Sequence, residues 1–219
     1  MIKKIKSAFW ETRRSLKMIP IIKEMEEIKK RGVPLDRMRA LEMFGGYGNQ
    51  ITKDYEPYFK ELEIWEIDPG CEPSLRKNFP KAKIKIGDSY AMLKESDSKV
   101  DFVIADTALS DNPNEHFKLF PDLFRVLNNS AIVILNTVPE IHSKALSKVQ
   151  SDNRKSFYKT DNPLNIPMEK MIEKYTELCS DNSFRIKWWF INDRYFLYGL
   201  RKSSIKRRLV HLIMFLEKV

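Results

Sequence analysis

With 219 residues, 42% of them apolar and 32% charged, the chain suffices for one full hydrophobic core and is short for two. No run approaches the ~20 apolar residues of a membrane span, and the basic amino terminus lacks the apolar stretch of a secretory signal. Cys71, Cys179 and three scattered histidines show no metal-ligand spacing, so the expectation is a cytoplasmic protein with reduced thiols and no resident metal. The net charge of +9 is concentrated at the ends: residues 1–40 hold 12 Lys+Arg against 5 Asp+Glu, residues 200–219 hold 6 against 1, and the middle is mildly acidic. Basic ends of this kind suit an anionic partner, either nucleic acid or lipid headgroups.

In chain order, Ile2, Ile5, Phe9, Leu16 and Ile19 recur at helical spacing with Lys and Arg between them, which predicts a basic amphipathic helix. Pro20 can open a second helix that Gly32 stops. Strands are then expected near 40–44, 62–67, 82–86, 100–106 and 131–136, with helices near 49–60, 71–79, 89–95, 116–127, 139–150 and 168–181. Phe102-Val103-Ile104-Ala105 and Ala131 to Leu135 are apolar throughout, as parallel strands covered on both faces must be. The alternation predicts a doubly wound α/β sheet. Phe184–Ile191 and Arg194–Arg201, separated by Asn192-Asp193, read as an antiparallel hairpin at the sheet edge. Ser151 to Pro167 reads as a lid or acceptor loop with Arg154, Lys155, Phe157 and Tyr158 as contacts. Ile205, Leu209, Leu212, Ile213 and Leu216 form one stripe, predicting a basic carboxyl-terminal helix. The expected division is therefore 1–37, a basic helical extension; 38–202, the sheet domain; and 203–219, the terminal helix.

The chemistry-bearing stretch is Ala40-Leu41-Glu42-Met43-Phe44-Gly45-Gly46-Tyr47-Gly48-Asn49-Gln50. Three of the seven glycines fall within four positions of this strand-to-helix turn. Glycine reaches positive φ without steric cost and lets a ligand approach main chain, while the helix start directs unpaired N–H groups outward. Glu66 and Asp68 end the second predicted strand, Gly87-Asp88-Ser89 follows the third, and Asp106 ends the fourth. Ligands of open α/β sheets bind outside such carboxyl ends, and an acid at the second strand tip accepts hydrogen bonds from a ribose.

On these residues the chain resembles the class I S-adenosylmethionine-dependent methyltransferases over roughly residues 38–201. The resemblance implies a Rossmann-like, mainly parallel seven-stranded sheet with an antiparallel last strand, and S-adenosyl-L-methionine as cofactor. It also implies cofactor contacts by Glu42, Phe44, Gly45, Gly46, Gly48, Asn49, Glu66, Ile67, Asp88 and Ser89, with Glu66 on the ribose, Asp88 near the adenine amino group and Asp106 as the catalytic group. Phe44 departs from the commonest pattern, which has glycine there. The Asp106 stretch lacks the Asn/Asp-Pro-Pro-aromatic motif of adenine-amino enzymes, a catalytic cysteine and a Lys-Asp-Lys-Glu set, so no acceptor is named. Nucleic acid is slightly favoured over a small molecule or a membrane-associated acceptor. An aminopropyltransferase-like enzyme and a non-catalytic binding module remain alternatives.

Overall fold

The computed structural model of the chain describes residues 20–48, 50–105, 119–143, 146–193 and 207–219. Helix α1 (Pro20–Lys30) begins at Pro20, and Gly32, at φ 82°, follows the turn that ends it. Its Ile21, Met25 and Ile28 repeat at i, i+4 and i+7 and are buried against the sheet. There follow β1 (Arg39–Met43), α2 (Gln50–Tyr55), β2 (Glu61–Glu66), α3 (Glu72–Asn78), β3 (Lys83–Ile86), α4 (Ser89–Glu95), β4 (Val100–Ala105) and α5 (Phe120–Val126). The chain continues through β5 (Leu127–Ile141), α6 (Lys148–Tyr158), α7 (Met168–Asp181), β6 (Phe184–Asp193) and β7 (Arg207–Lys218).

The seven strands form one sheet in the order β3-β2-β1-β4-β5-β7-β6. β1 to β5 are mutually parallel where they pair, and β7 runs antiparallel to both β5 and β6. Both faces are covered, which is why Phe102–Ala105 of β4, Ala131–Leu135 of β5 and Leu212–Leu216 of β7 are apolar residue after residue. Ile132 and Ile134 pack on the α1 side with Ile104 and Ile213, while Val133 and Leu135 pack on the opposite side with Val103, Leu212 and Met214.

The carboxyl-terminal helix expected over 203–219 is instead β7, the buried strand between β5 and β6. From Leu209 to Leu216 only His211 interrupts the apolar run, so residues at helical spacing match trivially and the period carries no information. The expected hairpin is corrected with it. β6 continues through Asn192 and Asp193, which pair with His211 and Val210, and residues 194–206 lie outside the described residues. The antiparallel closure is present, but its second strand is 207–218. α1 and β7 share a core with the central strands. The basic helix expected before Pro20 lies outside the described residues.

The helix expected over 139–150 is corrected too: β5 runs to Ile141 and α6 starts at Lys148. Ser147 caps α6 in a capping box with Gln150. The expected 151–167 loop is thus half helix, and its return stretch is tied to β5 by Ile141 N–H to Leu164 O (2.8 Å) and Ile166 N–H to Pro139 O (2.9 Å). Arg154 is 1% exposed and donates to Pro163 O (2.7 Å) and Val138 O (3.0 Å), and Tyr158 is also buried, so both are internal fastenings rather than acceptor contacts. Among the described residues no helix is long and apolar enough to cross a membrane.

Candidate active site

Glu42, on β1, is buried, and its Oε1 accepts the Thr52 Oγ1 hydroxyl at 2.9 Å. That bond ties the strand to the helix after the turn and holds the turn between them. Phe44, Gly46 and Gly48 then take left-handed backbone, with φ of 67°, 56° and 71°. The glycines serve different needs. A Cβ at Gly48 would stand 2.3 Å from Phe79 Cε2, and one at Gly45 2.3 Å from Ile64 Cγ2, so both permit close packing of the turn on its own domain. At Gly46 a Cβ would meet nothing within 4 Å, so the main chain there faces open space.

Glu66 closes the second strand and is pinned from two directions. Its Oε2 accepts the Gly46 amide at 2.5 Å and its Oε1 the Asp68 amide at 2.9 Å. The carboxylate thereby sets the glycine turn against the β2 tip, and each oxygen keeps a second lone pair. Backbone bonds from Gly45 N–H to Trp65 O (2.9 Å) and Gly87 N–H to Glu66 O (2.8 Å) stitch the tips of β1, β2 and β3 into one ledge. Asp88 is the N-cap of α4, accepting the Tyr90 amide at 3.0 Å, and is itself exposed. Ile67 is 64% exposed beside it. Burial and the neighbouring Glu66 and Asp68 carboxylates push the Cys71 thiol up, which keeps it protonated and unreactive.

Glu42, Gly46, Glu66, Ile67 and Asp88 are thus brought to one end of the sheet, at adjacent strand tips. Ser89, at the start of α4, is buried, being 2% exposed. Asn49 and Asp106 lie outside the described residues, although Ala105 ends β4 at this same end. Thr52 and Tyr90 escaped the sequence reading. Asp68 before Pro69-Gly70 carries a readable capping signal, since its side chain accepts the Gly70 amide at 2.8 Å, whereas the Thr52 partnership is tertiary.

A groove of about 690 Å3 lies at the opposite, amino-terminal ends of β1 to β4, lined among others by Arg39, Glu56, Phe59, Lys60, Lys81 and Lys83. Its charges are mixed, and Arg39 and Lys83 are paired with Glu61 and Glu63 at 3.3 Å. Among the described residues there is no cluster of metal-ligating side chains.

No protein-family model matches the chain, and no curated protein matches it in sequence. Solved structures do match in fold. TYW2 of M. jannaschii in complex with AdoMet superposes with a TM-score of 0.56 at 14% identity, covering 89% of this chain and 76% of that one. The plantazolicin methyltransferase BamL, in complex with a desmethyl analogue and SAH, gives 0.56 at 13% identity over 97% and 90% of the two chains. Trm5b from Pyrococcus abyssi gives 0.58 at 12% identity over 89% of this chain and 48% of that one. The chain therefore has the fold of the class I methyltransferases, as its strand order and antiparallel β7 require.

Proposed function

We propose that the protein transfers a methyl group from S-adenosyl-L-methionine to an anionic macromolecular acceptor, with nucleic acid favoured over a lipid surface. The observation that carries this reading is the ledge itself: an open glycine turn at Gly46 bound directly to the Glu66 carboxylate, with exposed Asp88 on the next strand tip. The residues present fit an adenosyl cofactor, because a ribose needs acceptors for its hydroxyls and a purine amino group needs one more. Glu66 would take the ribose, Asp88 the adenine amino group, and the main chain near Gly46 would lie against the bound group. That group supplies an electrophilic methyl carried on a sulfonium.

What remains for the protein is alignment and the exclusion of water, and positioning accounts for most of the rate in such a transfer. Asp106 follows directly on Ala105 at the end of β4; we assign it to accept the acceptor's proton.

The anionic acceptor is supported by how the chain is threaded. Glu24 of α1 meets His211, which is level with Asn136 near the end of β5, whereas Arg31 reaches Trp188 further back along β6. The amino end of α1, into which residues 1–19 lead with six Lys+Arg and one acid, is therefore at the site's end of the sheet. β6 ends and β7 begins at that same end, and residues 194–206 between them hold four Lys+Arg and no acid.

Titration calorimetry with S-adenosylmethionine and S-adenosylhomocysteine tests the cofactor assignment: heat with either supports it, and silence with both overturns it. Transfer of labelled methyl to total RNA, falling steeply as salt rises, supports a nucleic-acid acceptor. Label appearing on anionic vesicles or small molecules and not on RNA overturns that part.

A further inference from the structure

β6 is the last strand of the sheet, and Lys187-Trp188-Trp189-Phe190 lies at its middle. Trp188 and Phe190 fall on the face that α1 covers, at the outer margin of its core, and both stay half-buried. Trp188 is paired across the ladder with Phe215 of β7, and the two rings stack with centroids 5.2 Å apart and planes 13° apart. Phe190 continues the run from Trp188 at 6.1 Å and 24°. Three nearly parallel rings thus form one strip at the margin of the sheet.

Cations border the strip. The Arg31 guanidinium lies over Trp188 at 4.8 Å and over Phe190 at 5.1 Å from the ring centroids, and the Lys187 ammonium over Phe215 at 5.6 Å. Exposed Lys23 and half-buried Glu27 precede Arg31 at four-residue steps, on the same flank of α1. Arg185 and Lys187 both pair with Glu217, at 2.9 and 2.7 Å, and Arg31 pairs with Glu27 at 3.0 Å. Lys23, Arg31, Arg185 and Lys187 thus stand against two acids. Partly exposed pairs of this kind are weak, so phosphates can compete for the cations.

We propose that this strip is a docking surface for the acceptor, and that the acceptor is a single-stranded nucleic acid. Its unpaired bases stack on the Trp188 and Phe190 rings and the Arg31 guanidinium, while its phosphates meet Lys23, Arg185 and Lys187. The inference rests on the nucleic-acid reading above and names the form of that acceptor. Every base has a flat face, so aromatic rings with flanking cations take single strands of any sequence, whereas a duplex keeps those faces within its own stack. β6 and β5 are both antiparallel to β7, so β6 runs toward the end of the sheet that holds the glycine turn. From Trp188 to Asp193 it covers about 17 Å in that direction. A single strand laid along β6 is thereby led toward the methyl donor.

The test is fluorescence anisotropy of a fluorescein-labelled oligouridine and of a labelled RNA duplex, titrated with the wild type, Trp188→Leu, Arg31→Gln and Lys187→Gln. Circular dichroism verifies folding, and calorimetry with S-adenosylhomocysteine follows the cofactor site. Trp188→Leu is expected to bind the oligouridine about tenfold more weakly, with affinity for S-adenosylhomocysteine unchanged. Arg31→Gln and Lys187→Gln change exposed side chains and keep the test open if Trp188→Leu does not fold; both should weaken the single strand and lower its salt dependence. A wild type that binds the oligouridine while the folded variants match it overturns the strip alone. Equal affinity for the duplex and the single strand also overturns it. A wild type that binds neither RNA overturns the strip and the nucleic-acid reading together, and heat with S-adenosylhomocysteine would then leave the cofactor reading standing.

Discussion

His211 Nδ1 lies 2.9 Å from Glu24 Oε1 and 3.0 Å from Glu24 Oε2, with the two side chains 1% and 0% exposed. One belongs to the buried strand β7 and the other to α1, 187 residues earlier in the chain. The pair fastens α1 to the level of the sheet where Asn136 and Asn192 flank His211 in register. Ile21, Met25 and Ile28 would bury α1 against any apolar surface, whereas the Glu24–His211 contact selects one docking position.

Removing one partner should therefore cost more than removing both. Glu24→Leu leaves His211 buried beside an apolar group and should lose about 3 kcal/mol, while Glu24→Leu combined with His211→Leu should recover most of it. Urea unfolding midpoints of the single and double variants measure the difference. Additive losses would show that the two side chains do not act together.

At the glycine turn, Gly46→Ala and Gly48→Ala should separate binding from folding. Both need left-handed backbone, costing about 1 kcal/mol with alanine. Only Gly48→Ala also drives a Cβ to 2.3 Å from Phe79, which should add roughly 1–3 kcal/mol of overpacking. Thermal unfolding should rank Gly48→Ala clearly below Gly46→Ala, and calorimetry should show Gly46→Ala losing nucleoside affinity while it remains folded.

Glu66→Ala should lose binding and some stability together. The Gly46 and Asp68 amides would both lose their acceptor, at about 1–3 kcal/mol if water does not replace it. Glu66→Gln should behave differently, because one oxygen survives to accept one amide. Affinity for S-adenosylhomocysteine in the order wild type, Glu66→Gln, Glu66→Ala is the expected result, and equal affinities would remove Glu66 from the site.

Alkaline stability offers a further check. Burial pushes the Cys179 thiol up to about 12 and the Tyr158 phenol up to about 12. A group whose folded pKa is raised keeps its full contribution below its unfolded pKa and loses it as pH climbs through the folded value. Stability should thus hold up to about pH 8 and fall progressively toward pH 12, beginning with the thiol. Cys179→Ala should flatten the early part of that decline in urea midpoints taken between pH 8 and 11. An unchanged slope would show the thiol to be solvated.

Local patterns were enough for much of this molecule. The apolar runs of β4 and β5, the Pro20 and Gly32 boundaries of α1, and the acids after Ile64 and Gly87 specify strands, helix limits and strand-tip carboxylates through interactions a few residues long. For that reason Glu66 and Asp88 were recognisable as strand-tip carboxylates before any fold was known, and α4 and α7 have the boundaries their residues predict. The identity of 207–218 was beyond such reasoning, because a strand covered on both faces is apolar at every spacing and its period is lost. Its partners β5 and β6 supply the backbone hydrogen bonds that make it a strand. The same holds for Arg154, whose polar head meets the carbonyls of Val138 and Pro163, and for Ser89, whose burial depends on what α4 packs against. The Glu24–His211 pair joins residues that no local pattern connects, since the contact exists once the sheet has brought the two ends of the chain together.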